Sequence, residues 1–255
     1  MSAAVVTGAG RGLGRGIAVA LAEAGFDVVV GYASDDDAAA ETAAIVSAMG
    51  RRAGTVQGDV ADPATAADLL DAALGLGGLG AWVNNAGISV LAPVLATTTA
   101  ELTAMVGTNL VGTFHGVQAA ARAFLAAGTA GRIINLASDL GVQAAPNLGG
   151  YSATKFAVVG LTQAAAVELA ADGITVNAVC PGTAETGMVM AERDREAELS
   201  ASSAAQVRQA YLDAIPAGRF CTPEDVGNAV AWLCAPGASY VTGQAICVNG
   251  ASVLH

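Results

Sequence analysis

Charge, and lysine in particular, is scarce in this sequence. Of its 255 residues only 13% are charged, and 22 acidic residues against 11 basic ones give a formal net charge of −11. An acidic surface repels phosphate backbones and anionic lipid headgroups, so we expect neither a nucleic acid nor a membrane surface as a partner. Lys155 is the only lysine, because every other basic residue is an arginine.

The patterns of metal binding, secretion and membrane insertion are also missing. The cysteines show no C-x-x-C spacing, and His115 and His255 have no cysteine or acid at ligand spacing, so no metal site is expected. No stretch approaches the roughly 20 uninterrupted apolar residues that cross a bilayer. The first apolar run, Ala3–Val6, follows no basic region or cleavable signal, which indicates a reduced, cytoplasmic protein.

Apolar residues make up 54% of the chain and follow two alternating patterns. Short β-branched runs, typical of strands, are separated by long alanine-rich stretches of helical character. This alternation predicts an α/β fold with a doubly wound, seven-stranded parallel sheet and helices on both faces. No linker or repeat interrupts it, so residues 1–255 are expected to form a single domain. The predicted strands are Ala3–Thr7, Asp27–Val30, Gly54–Gln57, Ala81–Val83, Arg132–Leu136, Ile174–Ala178 and Ala245–Val248.

Capping residues mark three helix starts, and one segment is less regular than the rest. A capping oxygen precedes proline or an acidic first turn at Asp62-Pro63, Thr97–Glu101 and Thr222–Glu224. The stretch at about residues 183–216 is predicted to form a flexible helical flap over the carboxyl edge of the sheet. An ordinary pair of surface helices is the alternative. Both tryptophans, Trp82 and Trp232, are expected in the core.

The first predicted strand runs into a glycine-rich turn, Thr7–Gly14, and a helical stretch follows at once. Glycines let the backbone approach a pyrophosphate, and the N–H groups at the start of the helix satisfy its charge without a basic surface. The spacing is T-G-x-x-x-G-x-G, and the more common G-x-G-x-x-G does not fit. A glycine turn of purely structural use is the alternative.

A second motif places Tyr151 and Lys155 four residues apart, on one face of a predicted helix. A phenol of pKa near 10 needs its phenolate stabilised by roughly 4 kcal/mol, about three pKa units, to act as a base near neutral pH. The Lys155 ammonium is a compact charge that can supply much of this, which accounts for a lysine in a chain otherwise basic only through arginine. The alternative is a surface pair at helical spacing.

Ser138 follows the fifth predicted strand, thirteen residues before Tyr151. Ser138, the Y-x-x-x-K motif and the glycine turn together resemble the short-chain dehydrogenase/reductase family, and the resemblance covers essentially the whole chain. It implies a Rossmann fold and an NAD(P)(H)-dependent oxidoreductase that moves a hydride between nicotinamide and a carbonyl or secondary alcohol. Tyr151 is then the acid/base, Ser138 steadies the substrate oxygen, and Asn109 holds a water that connects Lys155 to solvent.

The same resemblance implies a set of cofactor contacts. Asp59 and Val60 would meet the adenine ring, although Asp59 is otherwise a simple turn residue. Thr186 would bond the nicotinamide carboxamide. The other implied contacts are Gly8, Arg11, Gly12, Leu13, Gly14, Ser34, Asn85, Ala86, Gly87, Tyr151, Lys155, Pro181 and Gly182.

NADP(H) is favoured over NAD(H), which stays possible. NAD-preferring relatives place an acid at the tip of the second strand, where this chain reads Gly31–Ser34. Arg11 and Ser34 are instead available for a 2′-phosphate, although Asp35–Asp37 lie close by. The chain departs from the usual family pattern at Gly80 and at Asn249–Ala251.

Within the family, the stretch Gly173–Gly182 followed by Glu185–Met188 resembles β-ketoacyl-ACP reductases and aromatic polyketide ketoreductases. Acetoin and polyol dehydrogenases look nearly as close, so a small ketone or alcohol is an equally good substrate. An acyl-carrier partner would want basic residues near the mouth, and the flap offers only three arginines among many acids. A homotetramer with Tyr240–Leu254 at an interface is also implied. A non-catalytic nucleotide sensor is the alternative from another class.

Overall fold

The computed structural model describes residues 2–254, which form one α/β domain built on a seven-stranded sheet. The strand order is β3-β2-β1-β4-β5-β6-β7 and all neighbours are parallel. All seven predicted strands are confirmed, and β6 extends beyond its predicted end because Cys180 and Pro181 pair with β7. The strands are β1 Ala3–Val6, β2 Asp27–Tyr32, β3 Ala53–Gln57, β4 Leu79–Asn84, β5 Arg132–Leu136, β6 Thr175–Pro181 and β7 Ala245–Val248.

Helices cover both faces of the sheet, as expected. Helices α1, α2 and α9 pack on one face, and α3, α5 and α6 pack on the other. A π-helical turn, Val106–Val111, joins α4 to α5 in one continuous rod. The helices are α1 Gly12–Glu23, α2 Asp36–Ala48, α3 Pro63–Gly75, α4 Thr99–Met105, α5 Gly112–Ala127, α6 Gly149–Leu169, α7 Gly187–Ser200, α8 Ala204–Asp213 and α9 Pro223–Cys234.

Alternate residues along each strand fill the two core layers. On β1, Ala4 and Val6 join one apolar cluster, while Ala3 and Val5 join the other. Trp82 is fully buried in the second cluster, as predicted. Trp232 is 51% exposed, so its prediction as core was wrong. The reason is its position on α9, where the buried face is formed by Val226, Val230 and Leu233 and residue 232 points away from it.

Side-chain caps begin the helices at the predicted places. Asp62 caps α3 through the backbone N–H of Ala64, and Thr98 and Thr222 form reciprocal capping boxes with the third residue of α4 and α9. The flap prediction corresponds to α7 and α8, which Arg208 ties back to Glu185. The helices are therefore as predicted, while the flexibility of the flap stays a prediction.

The two departures from the family pattern have local explanations. A Cβ on Gly80 would collide with the side chain of Ser2, so glycine admits the start of the chain beside β4. At the other end, the Asn249 amide accepts a hydrogen bond from the Ala251 N–H at 3.1 Å and donates one to the Val253 carbonyl at 2.8 Å. The turn is thus closed by an amide where the family pattern has a carboxylate.

Two further structural findings concern the predicted absences. No helix among residues 2–254 is long and apolar enough to cross a membrane. Within the same residues no cluster of histidine, cysteine or acid is arranged to hold a metal, and His255 lies outside the described residues.

Candidate active site

The sheet order places a crevice at the carboxyl edge, between β1 and β4. The chain continues from β1 to β2 on one side, whereas β4 lies on the other, so the loops after β1 and β4 diverge and leave space between them. The glycine turn follows β1, and Asn85-Ala86-Gly87 follows β4. Both predicted cofactor motifs therefore meet at this switch point.

A hydrogen-bond network locks these two loops together. The Thr7 hydroxyl accepts from the backbone N–H groups of Asn85 and Ala86, at 2.9 and 3.0 Å. The Asn85 amide donates back to the carbonyls of Thr7 and Gly8, at 2.8 and 3.1 Å. A Cβ on Gly14 would lie 2.6 Å from that amide nitrogen and even closer to the Gly8 carbonyl oxygen. The loop therefore holds its shape only with glycine at this position.

The start of α1 fits an anionic ligand. Arg11 is the N-cap and makes no side-chain capping bond, and the first turn contains no acid, whereas α2, α3, α4, α8 and α9 all have side-chain caps. The N–H groups of this turn are thus left without a side-chain acceptor beside a glycine, Gly12, in the left-handed region at φ +54°. Uncapped donors at a helix start, with the backbone bare of side chains, suit a pyrophosphate.

Thr186 and the end of β6 form the opposite wall of this loop. A Cβ on Gly12 would lie 3.4 Å from the Thr186 methyl, so Thr186 stands directly over the glycine turn. Thr186 is the N-cap residue of α7 but makes no side-chain capping bond. Pro181 ends β6, and the Gly182 N–H donates to the Val248 carbonyl at 3.0 Å. The geometry leaves the Thr186 hydroxyl available to a ligand that crosses the loop.

The residues predicted to contact the adenine and the 2′-phosphate make contacts with neighbouring protein groups or are exposed. The Asp59 carboxylate accepts from the Ala61 N–H at 2.9 Å, so its contacts are those of the turn residue that the sequence also allowed. Ser34 is exposed after the tip of β2. Arg11, whose side chain is 81% exposed, lies 3.6 Å from the Asp35 carboxylate. The nearby acid noted in the sequence thus pairs with the arginine that was expected to hold the phosphate.

The catalytic motif opens α6. The Lys155 ammonium lies 5.5 Å from the centre of the Tyr151 ring, so the predicted helix face is confirmed. Lys155 is only 4% exposed, and its Nζ donates to the Leu136 carbonyl at 2.7 Å. The lysine is thereby fixed between α6 and the end of β5.

Ser138, which follows the end of β5, lies beside Tyr151. Its hydroxyl is close enough to the Tyr151 hydroxyl to lower the pKa of the phenol. The Ser138 oxygen also accepts from the Leu140 N–H and donates to the Asp139 carboxylate, both at 3.1 Å. The predicted trio of Ser138, Tyr151 and Lys155 is therefore assembled at the mouth of the crevice.

Burial dominates the electrostatics of this trio. It raises the pKa of Tyr151 above its ordinary value, the negative charge of Glu192 adds to the rise, and the nearby Ser138 hydroxyl opposes it. Burial also lowers the pKa of Lys155 to about 8, because the ammonium has lost its hydration. The sequence predicted that the ammonium would make the phenol more acidic. In this structure burial raises the pKa of the phenol instead, and Lys155 is not among the groups that shift it.

Asn109 lies in the π-helical turn, and protein groups satisfy its amide. The amide nitrogen donates to the Ile88 carbonyl at 2.9 Å and to the Thr154 hydroxyl at 3.0 Å, and the amide oxygen accepts from the Ile88 N–H at 2.8 Å. A Cβ on Gly87 would lie 3.4 Å from this oxygen and 3.6 Å from Lys155 Nζ. Asn109 is therefore next to the trio, while its part in a water relay stays a prediction.

Sequence reasoning missed three polar residues at this mouth. Asp139 is next to Ser138, and burial raises the pKa of its carboxyl. Glu192, on α7, is a half-buried carboxyl whose pKa burial also raises, and the Ser89 hydroxyl faces it. Nothing in the sequence distinguished Glu192 from the other acids of α7, because its position depends on how that helix packs.

Comparison with known proteins decides the family. The family model described as Enoyl-(Acyl carrier protein) reductase matches residues 8–251. L-2,3-butanediol dehydrogenase of Corynebacterium glutamicum is 43% identical over 252 residues, which cover 97% of this chain and 96% of that protein. The chain belongs to the short-chain dehydrogenase/reductase family.

Other members of this family are similar over the same length. The 3-oxoacyl-[acyl-carrier-protein] reductase of Staphylococcus aureus is 38% identical over 248 residues, covering 97% of this chain and 96% of that protein. The crystal structure of acetoin dehydrogenase from Enterobacter cloacae superposes with a TM-score of 0.84 at 34% identity, covering 98% and 94% of the two chains. The protein is an NAD(P)-dependent oxidoreductase that acts between a carbonyl and a secondary alcohol.

Proposed function

We propose that this short-chain dehydrogenase/reductase reduces small ketones and diketones of the acetoin type, with Asn109, Ser138, Tyr151 and Lys155 as its catalytic group. The observation that carries the proposal is the contact among Ser138, Tyr151 and Lys155 at the carboxyl edge of the sheet, beside the glycine turn. A phenol held between a hydroxyl and an ammonium is suited to pass a proton to a carbonyl oxygen as that oxygen becomes an alkoxide.

Each residue has a distinct role in this proposal. When bound, the nicotinamide supplies the hydride that adds to the carbonyl carbon. Tyr151 donates its proton to the carbonyl oxygen, and a raised phenol pKa keeps that proton in place until the oxygen gains charge. Ser138 donates a hydrogen bond to the same oxygen. Lys155 stabilises the phenolate that remains and contacts the nicotinamide ribose, and Asn109 connects Lys155 to solvent. Oxidation of an alcohol is the reverse.

The residues to which we assign the cofactor lie in the loops after β1, β2, β3 and β4, at the end of β6 and at the start of α6. We assign the pyrophosphate to the turn that contains Gly8, Gly12, Leu13 and Gly14, and the adenine side to Asp59 and Val60. The ribose contacts are assigned to the loop after β4, and the carboxamide contact to Thr186. The full set is Gly8, Arg11, Gly12, Leu13, Gly14, Ser34, Asp59, Val60, Asn85, Ala86, Gly87, Tyr151, Lys155, Pro181, Gly182 and Thr186.

We propose NADP(H) as the preferred cofactor because β2 ends in Tyr32 rather than in an acid, and because Arg11 and Ser34, in the loops after β1 and β2, would be available to a 2′-phosphate. The Arg11→Ala variant is expected to lose about tenfold in kcat/KM with NADPH, since the lost contact is charged but exposed. The value with NADH should change less than about threefold.

A matched variant changes the acid that pairs with Arg11. Asp35→Asn removes the ion pair with Arg11 but keeps the cap of α2, since asparagine caps helices as well as aspartate does. Its kcat/KM with NADPH should therefore rise. Steady-state kinetics with both cofactors measures both effects, and an equal loss with NADPH and NADH in Arg11→Ala would refute the preference.

The flap supports a free small molecule rather than a substrate on an acyl carrier. Its three arginines each lie within salt-bridge distance of an acid: Arg193 of Asp194, Arg195 of Glu198 and Arg208 of Glu185. An acidic carrier protein would have to displace these acids. Reduction of 3-oxoacyl thioesters is the second candidate, and the Staphylococcus aureus relative favours it.

A substrate panel tests the proposal. Acetoin, diacetyl, 2,3-butanediol and the thioester acetoacetyl-CoA are assayed with both cofactors by the change in NAD(P)H absorbance. We expect turnover of the four-carbon compounds with kcat/KM above that of the thioester. A higher value for the thioester would favour the second candidate, and no turnover of any compound would refute the proposed substrate class.

We also propose a cytoplasmic homotetramer. Large apolar side chains are exposed on the outer faces of α5, α6 and α9 and in the segment Tyr240–Leu254, which fits burial between subunits. Light scattering coupled to size exclusion should give four times the chain mass of 24.9 kDa. A monomer mass would contradict this arrangement.

A further inference from the structure

The half-buried face of α7 presents a carboxylate to the catalytic trio. Val189, Glu192, Arg193 and Glu196 are partly buried and recur at helical spacing, so they form one face of the helix. Two turns of helix separate Glu192 from Thr186, the residue that stands over the glycine turn. Glu192 therefore lies about 9 Å along the axis of α7 from the expected nicotinamide contact.

Ser89 faces Glu192 from the other wall. It follows the Asn85-Ala86-Gly87 loop, its hydroxyl oxygen is buried, and this oxygen has no hydrogen bond of ordinary geometry to any residue in the described range 2–254. The Ser89 hydroxyl is nevertheless close enough to Glu192 to lower the pKa of that carboxyl. A buried hydroxyl without a regular partner beside a carboxylate is a place where a ligand hydroxyl can complete the hydrogen bonding.

The charge of the carboxylate also acts on the reacting phenol. It is the second largest influence on the Tyr151 pKa, after burial, so Glu192 lies near enough to Tyr151 for their charges to interact. No cation is among the groups that shift the Glu192 pKa, which are burial, Ser89 and Glu196. A half-buried carboxylate of this kind favours a neutral hydrogen-bond donor and disfavours an anion.

We propose that Glu192 and Ser89 bind the second oxygen of the substrate, the hydroxyl next to the reacting carbonyl. This inference rests on the proposed function, because it assumes that Tyr151 protonates the carbonyl oxygen. Glu192 accepts a hydrogen bond from the substrate hydroxyl, and Ser89 donates one to the oxygen of that hydroxyl. The site thereby selects neutral α-hydroxyketones and vicinal diols over simple ketones and over keto acids.

The test compares two ketones that differ by one hydroxyl, acetoin and 2-butanone. Wild type should favour acetoin, and Glu192→Gln should reduce kcat/KM for acetoin by about 10–100-fold, the range for a lost charged hydrogen bond. Because butanone has no hydroxyl, its kcat/KM should change less than about threefold. The ratio of kcat/KM for acetoin to kcat/KM for butanone is independent of any general effect that the lost charge has on Tyr151. Ser89→Ala should shift the ratio in the same direction.

Glu198→Gln is the matched control, since it removes the same charge from an exposed position on the same helix, where Glu198 pairs with Arg195. Its ratio should equal that of wild type. Equal losses for acetoin and butanone in Glu192→Gln would overturn the inference while leaving the proposed function intact. Wild type that turns over neither ketone would instead contradict the proposed function itself.

Discussion

Replacing Tyr151 by phenylalanine is expected to reduce kcat by about 10³-fold, within the range that general acid catalysis contributes. The variant keeps the ring and loses only the proton that the carbonyl oxygen receives. Cofactor affinity should stay within about threefold of wild type, since the glycine turn is untouched and one neutral hydrogen bond is worth little. Steady-state kinetics gives kcat, and quenching of protein fluorescence by NADPH gives the Kd.

Tyr240→Phe is the control for this substitution. Tyr240 is fully exposed in the single subunit and lies outside the catalytic group, and it loses the same hydroxyl, so kcat should not change. Retained turnover in Tyr151→Phe would show that another group supplies the proton, and the assignment of the catalytic group would be wrong.

Replacing Lys155 by methionine should raise the free energy of unfolding while it destroys activity. Burial lowers the pKa of Lys155 from 10.5 to about 8, so holding the buried ammonium at pH 7 costs about 3 kcal/mol. Methionine removes this cost but leaves the Leu136 carbonyl without its donor, which costs about 1–2 kcal/mol. The net gain is therefore about 1–2 kcal/mol at pH 7 in the absence of cofactor.

The difference in unfolding free energy between Lys155→Met and wild type is expected to depend on pH. Between pH 8 and 10.5 the unfolded chain still binds the Lys155 proton that the folded protein has released, so the contribution of Lys155 to wild-type stability rises with pH across this window. The advantage of Lys155→Met should accordingly shrink as pH rises from 8. Urea denaturation across this range measures it. Tyr151→Phe keeps the lysine and should follow wild type, and a gap that stays constant with pH would count against a buried ammonium.

The fold could be predicted from local patterns because each element carries its own signal. The strands are short runs that contain β-branched residues, five of the seven are mostly buried, and caps such as Asp62 and Thr98 mark the helix starts. The central site residues also followed from the sequence. Ser138, Tyr151 and Lys155 lie at element ends, and all parallel strands present their carboxyl ends at one edge.

What the sequence missed depends on packing between distant segments. Glu192 is one acid among several on α7, and only the contact of that helix with the loop after β4 brings it to Ser89. Trp232 is apolar by type, yet its phase on α9 turns it outward. The rise in the Tyr151 pKa arises from burial by several elements together. The four-residue spacing of Tyr151 and Lys155 predicts that the ammonium is nearby, but it does not predict how deeply the phenol is buried.

The wide turn at Val106–Val111 restricts how the rod from Thr99 to Ala127 can be shortened or lengthened. One residue more or fewer rotates everything beyond it by about 100° around the helix axis. A deletion before Asn109 would swing that amide away from Ile88 and Thr154, even though the helix itself would become more regular. The irregular backbone of this turn is therefore required for the Asn109 hydrogen bonds. A regular α-helix of the same sequence would lose these bonds to Ile88 and Thr154.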